Sequence, residues 1–252
     1  MQYALTILTY LFDMFILTTF LMNTLHHFKK RYAPLYLCVL VGCECCLYGC
    51  EVLNSHFPTI QSEITATHIV PTHNLIKNAE QIEKIKESAK INIAVLDEIQ
   101  KTIHEGMSTA EIDKIVYDMT TDMGGIPAPL NYEGFPYSVC TSVNDQVCHG
   151  FPSPDVILKS GDIINVDCST ILNGYFSDSS RMFCIGDVSP EKKKLVDVTK
   201  EAMLKGLEQV KPWGFLGDMG QAVHDYVYAN GYSVVREIGG HGVGIEFHEE
   251  PW

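Results

Sequence analysis

Asp167 and Asp178 flank the dipeptide Asn173-Gly174 in the segment IINVDCSTILNGYFSDSSRMF, residues 163–183. Asn-Gly between two β-prone runs is the strongest short signal for a hairpin with a type I′ turn. That turn sets Ser169 opposite Asp178. Because side chains alternate along a strand, Asp167 then shares their face, as a diagonal neighbour of Asp178. Two carboxylates so placed suit hard divalent cations, including pairs of ions roughly 3.5 to 4 Å apart. The other face of the first strand, Ile164, Val166 and Cys168, is apolar and expected to meet the core. Solvated hairpin carboxylates are the plain alternative, since Asp is common near turns.

Two further segments carry groups able to act with such a pair. In GGHGVGIEFHEEP, residues 239–251, glycines surround His241 and let the backbone approach a ligand closely. An extended Gly244 to His248 would alternate Ile245 and Phe247 with Glu246 and His248, placing an aromatic ring and a histidine at a pocket edge. In CTSVNDQVCHGF, residues 140–151, His149-Gly150 is expected to end a strand. A lone histidine there is more often a surface or core residue than a catalytic one.

The positioning elements read as follows. Ala79, Ile82, Ile85, Ala89, Ile93 and Leu96 recur at helical spacing, with Lys and Glu opposite, so residues 78–102 form an amphipathic helix. Ser108 followed by Glu111 is a capping-box signature opening a second helix over about 109–122. Strands are expected at 137–142, 162–170 and 174–183, and two more helices at about 190–210 and 217–230. Helix pairs followed by strands make an α+β order and hint at a duplicated unit.

The chain has 252 residues, 46% of them hydrophobic, enough for one substantial core. Its 31 acidic against 18 basic residues give a formal charge of -13, which argues against a surface that neutralises nucleic-acid phosphates. Residues 77–252 read as one catalytic-type domain and residues 1–76 as an N-terminal extension. Within the extension, residues 2–22 are apolar and long enough for a membrane span, but Asp13 near the centre costs roughly 2.5 to 3.5 kcal/mol on insertion. Membrane contact through 2–22 and a non-spanning leader both remain open. Cys38, Cys43, Cys45, Cys46 and Cys50 crowd together without the paired spacing of a zinc site. Nine cysteines in this uneven distribution fit reduced thiols, hence a cytoplasmic protein, better than a secreted disulfide scaffold. Residues 54–76 read as a linker.

Taken together, NYEGFPYSVCTSVNDQVCHGFP (131–152), GDIINVDCS, FSDSSRMF and VVREIGGHGVGIEFHEEP (234–251) resemble the type I methionine aminopeptidases, from about Leu75 to Trp252. The resemblance implies the pita-bread fold and removal of N-terminal methionine from nascent polypeptides, at the ribosome. It implies one or two divalent ions, with Co, Mn, Fe, Zn and Ni not distinguished, held by Asp167, Asp178 and His241. It further implies that His149 and His248 contact the scissile amide, and that Tyr132, Cys140 and Phe247 line a methionine pocket. An apolar wall containing sulfur suits that side chain.

Two departures stand beside the likeness. The family takes two glutamate ligands from strands after the HEEP segment, and Glu246, Glu249 and Glu250 do not match them, so the chain is expected to lack the end of its second half and to bind metal weakly. Glu133 and Phe135 also replace the residues more usual there. The alternatives are a non-catalytic pita-bread protein that binds polypeptides or other partners, and a fragment inactive for want of the two glutamates.

Overall fold

The computed structural model describes residues 6–7, 75–212 and 214–252. Apart from residues 6–7 and 75–76, the N-terminal apolar run, the cysteine cluster and the linker lie outside these residues. Helix α1 (Ala79–Thr102) and helix α2 (Thr109–Asp122) both begin in a reciprocal capping box. Asn78 and Gln81 close the first, and Ser108 and Glu111 the second. Each box satisfies backbone N–H groups that a helix start leaves without partners.

Four strands form one antiparallel sheet: β2 (Ile126–Pro127), β3 (Cys140–Val143), β4 (Ile163–Leu172) and β5 (Tyr175–Cys184). The long β4 pairs with β5 along one edge, and with β2 and β3 in turn along the other. Asn173 (φ 53°) and Gly174 (φ 81°) are both left-handed, as a type I′ turn requires, and the register places Ser169 opposite Asp178. One sheet face meets α1 and α2 in a core built from Val95, Leu96, Ile99, Ile112, Val116, Ile164, Val166 and Cys168. Each large aliphatic side chain fully buried there contributes roughly 1.5 to 3 kcal/mol.

The same interface carries buried polar contacts. Ser88 Oγ donates to the Thr170 carbonyl at 2.9 Å and lies 2.9 Å from Ser177 Oγ. Asn92 Nδ2 donates to Ser179 Oγ, and its Oδ1 accepts from Thr170 Oγ1. Arg181, buried, reaches back to the Leu96 carbonyl and the Asp97 carboxylate at 3.1 and 3.0 Å. A buried polar group must find a partner or cost free energy, so these pairs fix the rotation and height of α1 on the hairpin.

Helices α3 (Pro190–Leu207) and α4 (Leu216–Ala229) pack as a second pair around Val198, Ala202 and Val227. Strand β6 (Ser233–Val234) follows and pairs in parallel with β1 (Thr6–Ile7).

Two element boundaries differ from expectation by three residues. Strand β3 starts at Cys140 rather than Tyr137, because the Ser138 N–H is taken by the Asp113 carboxylate of α2 at 2.7 Å and not by a neighbouring strand. Helix α3 stops at Leu207 rather than Val210, since Pro212 follows and the last turns tighten into contacts from Gln209 to Gly206 and from Val210 to Leu207. No helix among the described residues is long and apolar enough to cross a membrane.

Candidate active site

A cavity of about 700 Å³ opens on the sheet face away from the α1 core. Tyr132, Cys140, His149, Asp167, Asp178, His241, Phe247 and His248 all line it, so every site residue singled out from the sequence meets in one place.

The two acids reach it from the hairpin. Ser169, between them on the same face, donates from Oγ to Asp178 Oδ1 at 2.8 Å. Asp167 lies deep in the wall. Desolvation, reinforced by the charge of Asp178 and a hydrogen bond to it, pushes the Asp167 carboxyl well above the usual carboxylate range. The same buried surroundings, with both acids close by, push the Cys140 thiol up, so it stays protonated.

His149 arrives differently from expectation. It does not end a strand but sits at φ 52° in a loop that folds back alongside β3, where the Thr141 N–H donates to the Gly150 carbonyl at 2.8 Å. Only glycine fits at 150: a Cβ there would lie 2.0 Å from the Thr141 carbonyl oxygen.

The segment after His241 is also not the extended run expected. Gly242 and Glu249 exchange backbone hydrogen bonds of 2.7 and 2.9 Å, and the Glu249 carboxylate accepts from the N–H groups of Ile245 and Glu246. These contacts curl residues 242–249 into a closed loop. Its Gly244 carbonyl accepts from Phe176 N–H of β5 at 2.8 Å, seating the loop on the hairpin. Phe247 and His248 both reach the cavity, as expected, but through the curl rather than through alternation along a strand.

His241 Nδ1 lies 3.0 Å from the Gly242 carbonyl, and its Nε2 lies 3.8 Å from Asp178 Oδ2. His248 Nδ1 pairs with the Tyr132 hydroxyl at 2.9 Å, and its ring packs against those of His241 and Phe247. Burial, then the neighbouring His241, lowers the His248 pKa, which favours the neutral ring at pH 7.

Chemically, carboxylates at 167 and 178 beside an imidazole at 241 are donors of the type that hold divalent metals. The 3.8 Å between His241 and Asp178 is too long for a hydrogen bond and within the span of two donors each about 2.0 to 2.2 Å from one cation. A cation would also relieve the opposition of Asp167 and Asp178. The donor set therefore fits in kind. Among the described residues, no three His, Cys, Asp or Glu side chains are grouped so as to hold a metal ion between them.

Phe135, Tyr137 and Phe151 form an edge-to-face aromatic trio, centroids 5.0 to 5.8 Å apart, and Phe135 and Phe151 extend the cavity wall. Sequence reasoning left them out. The density of aromatics in NYEGFPYSV was the available signal.

Comparison with known proteins gives the chain a family. Residues 83–252 match the model of metallopeptidase family M24. The chain is 44% identical over 168 residues to a methionine aminopeptidase of Rickettsia prowazekii, covering 67% of this chain and 64% of the relative. It is 43% identical over 177 residues to one of Clostridium acetobutylicum, covering 70% and 71%. A crystal structure of the Rickettsia prowazekii methionine aminopeptidase superimposes with a TM-score of 0.68 at 42% identity, over 69% of this chain and 70% of that one. The α+β arrangement is thus that of the pita-bread fold. The chain spans about two thirds of the length of the relatives it matches.

Proposed function

Because the chain belongs to metallopeptidase family M24, among the methionine aminopeptidases, we propose that it removes N-terminal methionine from nascent polypeptides with the aid of divalent metal. The observation that carries this reading is the convergence of Asp167, Asp178 and His241 on the cavity that also holds His149 and His248. Retention of all these groups favours catalysis over a non-catalytic binding protein.

In this reading Asp167, Asp178 and His241 hold one or two ions, while the family's two glutamate ligands have no matching position among residues 77–252. A bound ion would supply Lewis acidity toward the scissile carbonyl and a water acidic enough to ionise near neutral pH. Donors of this type tolerate Co, Mn, Fe, Zn or Ni, so the residues favour none of them.

The remaining groups act on the peptide. His248 Nδ1 lies 2.9 Å from the Tyr132 hydroxyl; in the tautomer where the hydroxyl donates, the ring proton is on Nε2, which then serves as a donor toward the amide oxygen. His149 reaches the cavity from the loop beside β3 and positions the same amide. Tyr132, Cys140 and Phe247 receive the methionine side chain. Phe247 lies edge-on to Tyr132 at 4.9 Å and stacks on Phe176 at 5.9 Å, giving rigid aromatic walls. The protonated Cys140 thiol adds a neutral, polarisable surface for a thioether.

Newly made polypeptide N-termini, met at the ribosome, are the partners this activity needs. Four free cysteines among the described residues support a reducing, cytoplasmic setting. Membrane attachment through residues 2–22 is a separate proposal, tested by detergent-phase partitioning.

The activity is tested by hydrolysis of Met-Gly-Met with added cobalt, manganese or iron, using this chain and a version continued through the strands that carry the two glutamates. Release of methionine by either supports the reading. Release only by the continued version shows that the glutamates are required, and release by neither overturns it.

A further inference from the structure

Lys77 lies just before α1 and is only 4% exposed, with its Nζ ion-paired to Glu249 Oε1. Glu249 is itself 12% exposed and belongs to the curled loop between His241 and the chain's last residues. Its second oxygen, Oε2, accepts from the N–H groups of Ile245 and Glu246, while its backbone bonds in both directions to Gly242, the residue after His241. One carboxylate therefore sets the curvature of the loop from inside, and one lysine holds that carboxylate.

The lysine is placed by α1, which is fixed on the acid-bearing hairpin through Ser88 and Asn92. The chain of contacts runs from Asp167 and Asp178, through the hairpin and α1, to Lys77, Glu249 and the loop of His241 and His248. A loop of this composition, rich in glycine, has little stiffness of its own. The loop is also tied to the rest of the fold by the Phe176–Gly244 hydrogen bond, by His248 on Tyr132 and by Phe247 on Tyr132 and Phe176, but the ion pair alone holds the carboxylate that curls it.

We propose that the Lys77–Glu249 pair is a positioning latch, holding His241 and His248 in register with Asp167 and Asp178. Neither residue touches the cavity, so the pair acts only through the loop. A buried carboxylate without its cation would seek water, and the shortest way out is to uncurl residues 242–249. His241 and His248, at either end, would move with it. The inference rests on the proposed metal chemistry only where metal binding is the readout.

The test compares the parent chain with Lys77→Met, Lys77→Arg and Glu249→Gln, with Ser189→Ala at the start of α3 as a distant control. Circular dichroism selects a temperature at which each variant is folded. Side-chain NMR signals of His241 and His248 and manganese affinity by calorimetry are then recorded. The latch predicts that Lys77→Met shifts or broadens both imidazole signals and weakens manganese binding tenfold or more. Lys77→Arg restores both, and Ser189→Ala changes neither. Should Lys77→Met not fold, Glu249→Gln keeps an acceptor for Ile245 and Glu246 and decides the matter through the same signals. Unchanged imidazole signals in whichever of these two variants folds would reduce the pair to a stabilising contact and overturn the proposal. If the parent binds no manganese, the metal reading fails while the imidazole signals still judge the latch.

Discussion

Ser169 Oγ donates a 2.8 Å hydrogen bond to Asp178 Oδ1 from directly across the hairpin. The bond holds one lobe of the carboxylate and leaves the other, Oδ2, toward His241. Ser169→Ala should therefore free the carboxylate to rotate. Loss of such an orienting partner is expected to weaken manganese binding by roughly 10- to 100-fold, with Ser169→Thr restoring most of it. Calorimetric titration of the three proteins checks this, and equal affinities would contradict it.

Asn92 is fully buried and ties α1 to both strands of the hairpin. Asn92→Ala leaves Thr170 and Ser179 without their partner on the helix, at a cost of roughly 1 to 3 kcal/mol for each group left unsatisfied. Chemical denaturation should show a lower midpoint at unchanged slope.

At Gly150 the constraint is steric. A methyl group 2.0 Å from the Thr141 carbonyl oxygen cannot be absorbed by a side-chain rotation. Gly150→Ala should lose about 3 kcal/mol or more by forcing backbone apart, and should displace His149. Thermal unfolding measures the first effect and the His149 imidazole NMR signal the second.

The capping box of α2 gives a pH signature. Hydrogen bonds from the Ser108 N–H, then its hydroxyl, hold the Glu111 carboxyl below its usual value of 4.5. A carboxylate with a depressed folded-state pKa adds stability that is fully present above the unfolded value and is lost as pH falls through the folded one. The melting temperature of the parent should thus exceed that of Glu111→Gln at pH 7, and the gap should close below pH 4.5. A gap that stays constant down to pH 3 would refute the assignment.

Much of this architecture was legible because the signals were local. Asn173-Gly174 fixed the hairpin register, and with it the face shared by Asp167, Ser169 and Asp178, since turn type and side-chain alternation involve only neighbours. Ser108 with Glu111 marked a helix start for the same reason. What escaped depends on distant partners. The curl of residues 242–249 is set by a carboxylate bonding back along its own loop and by a lysine preceding α1. The path of His149 depends on how closely Gly150 can approach β3, and the late start of β3 on Asp113 in α2. Alternation within the segments themselves carries no trace of these contacts.

The tight turn at Asn173-Gly174 also works as a gauge for the acidic half of the cavity. Adding a single residue there would keep β4 on the core and leave its hydrophobic face intact, yet slide β5 by one step. Asp178 would then turn toward α1 and Ser179 or Ser177 would take its place in the cavity. The spacing of the two acids is therefore written in the length of one loop, several residues away from either of them.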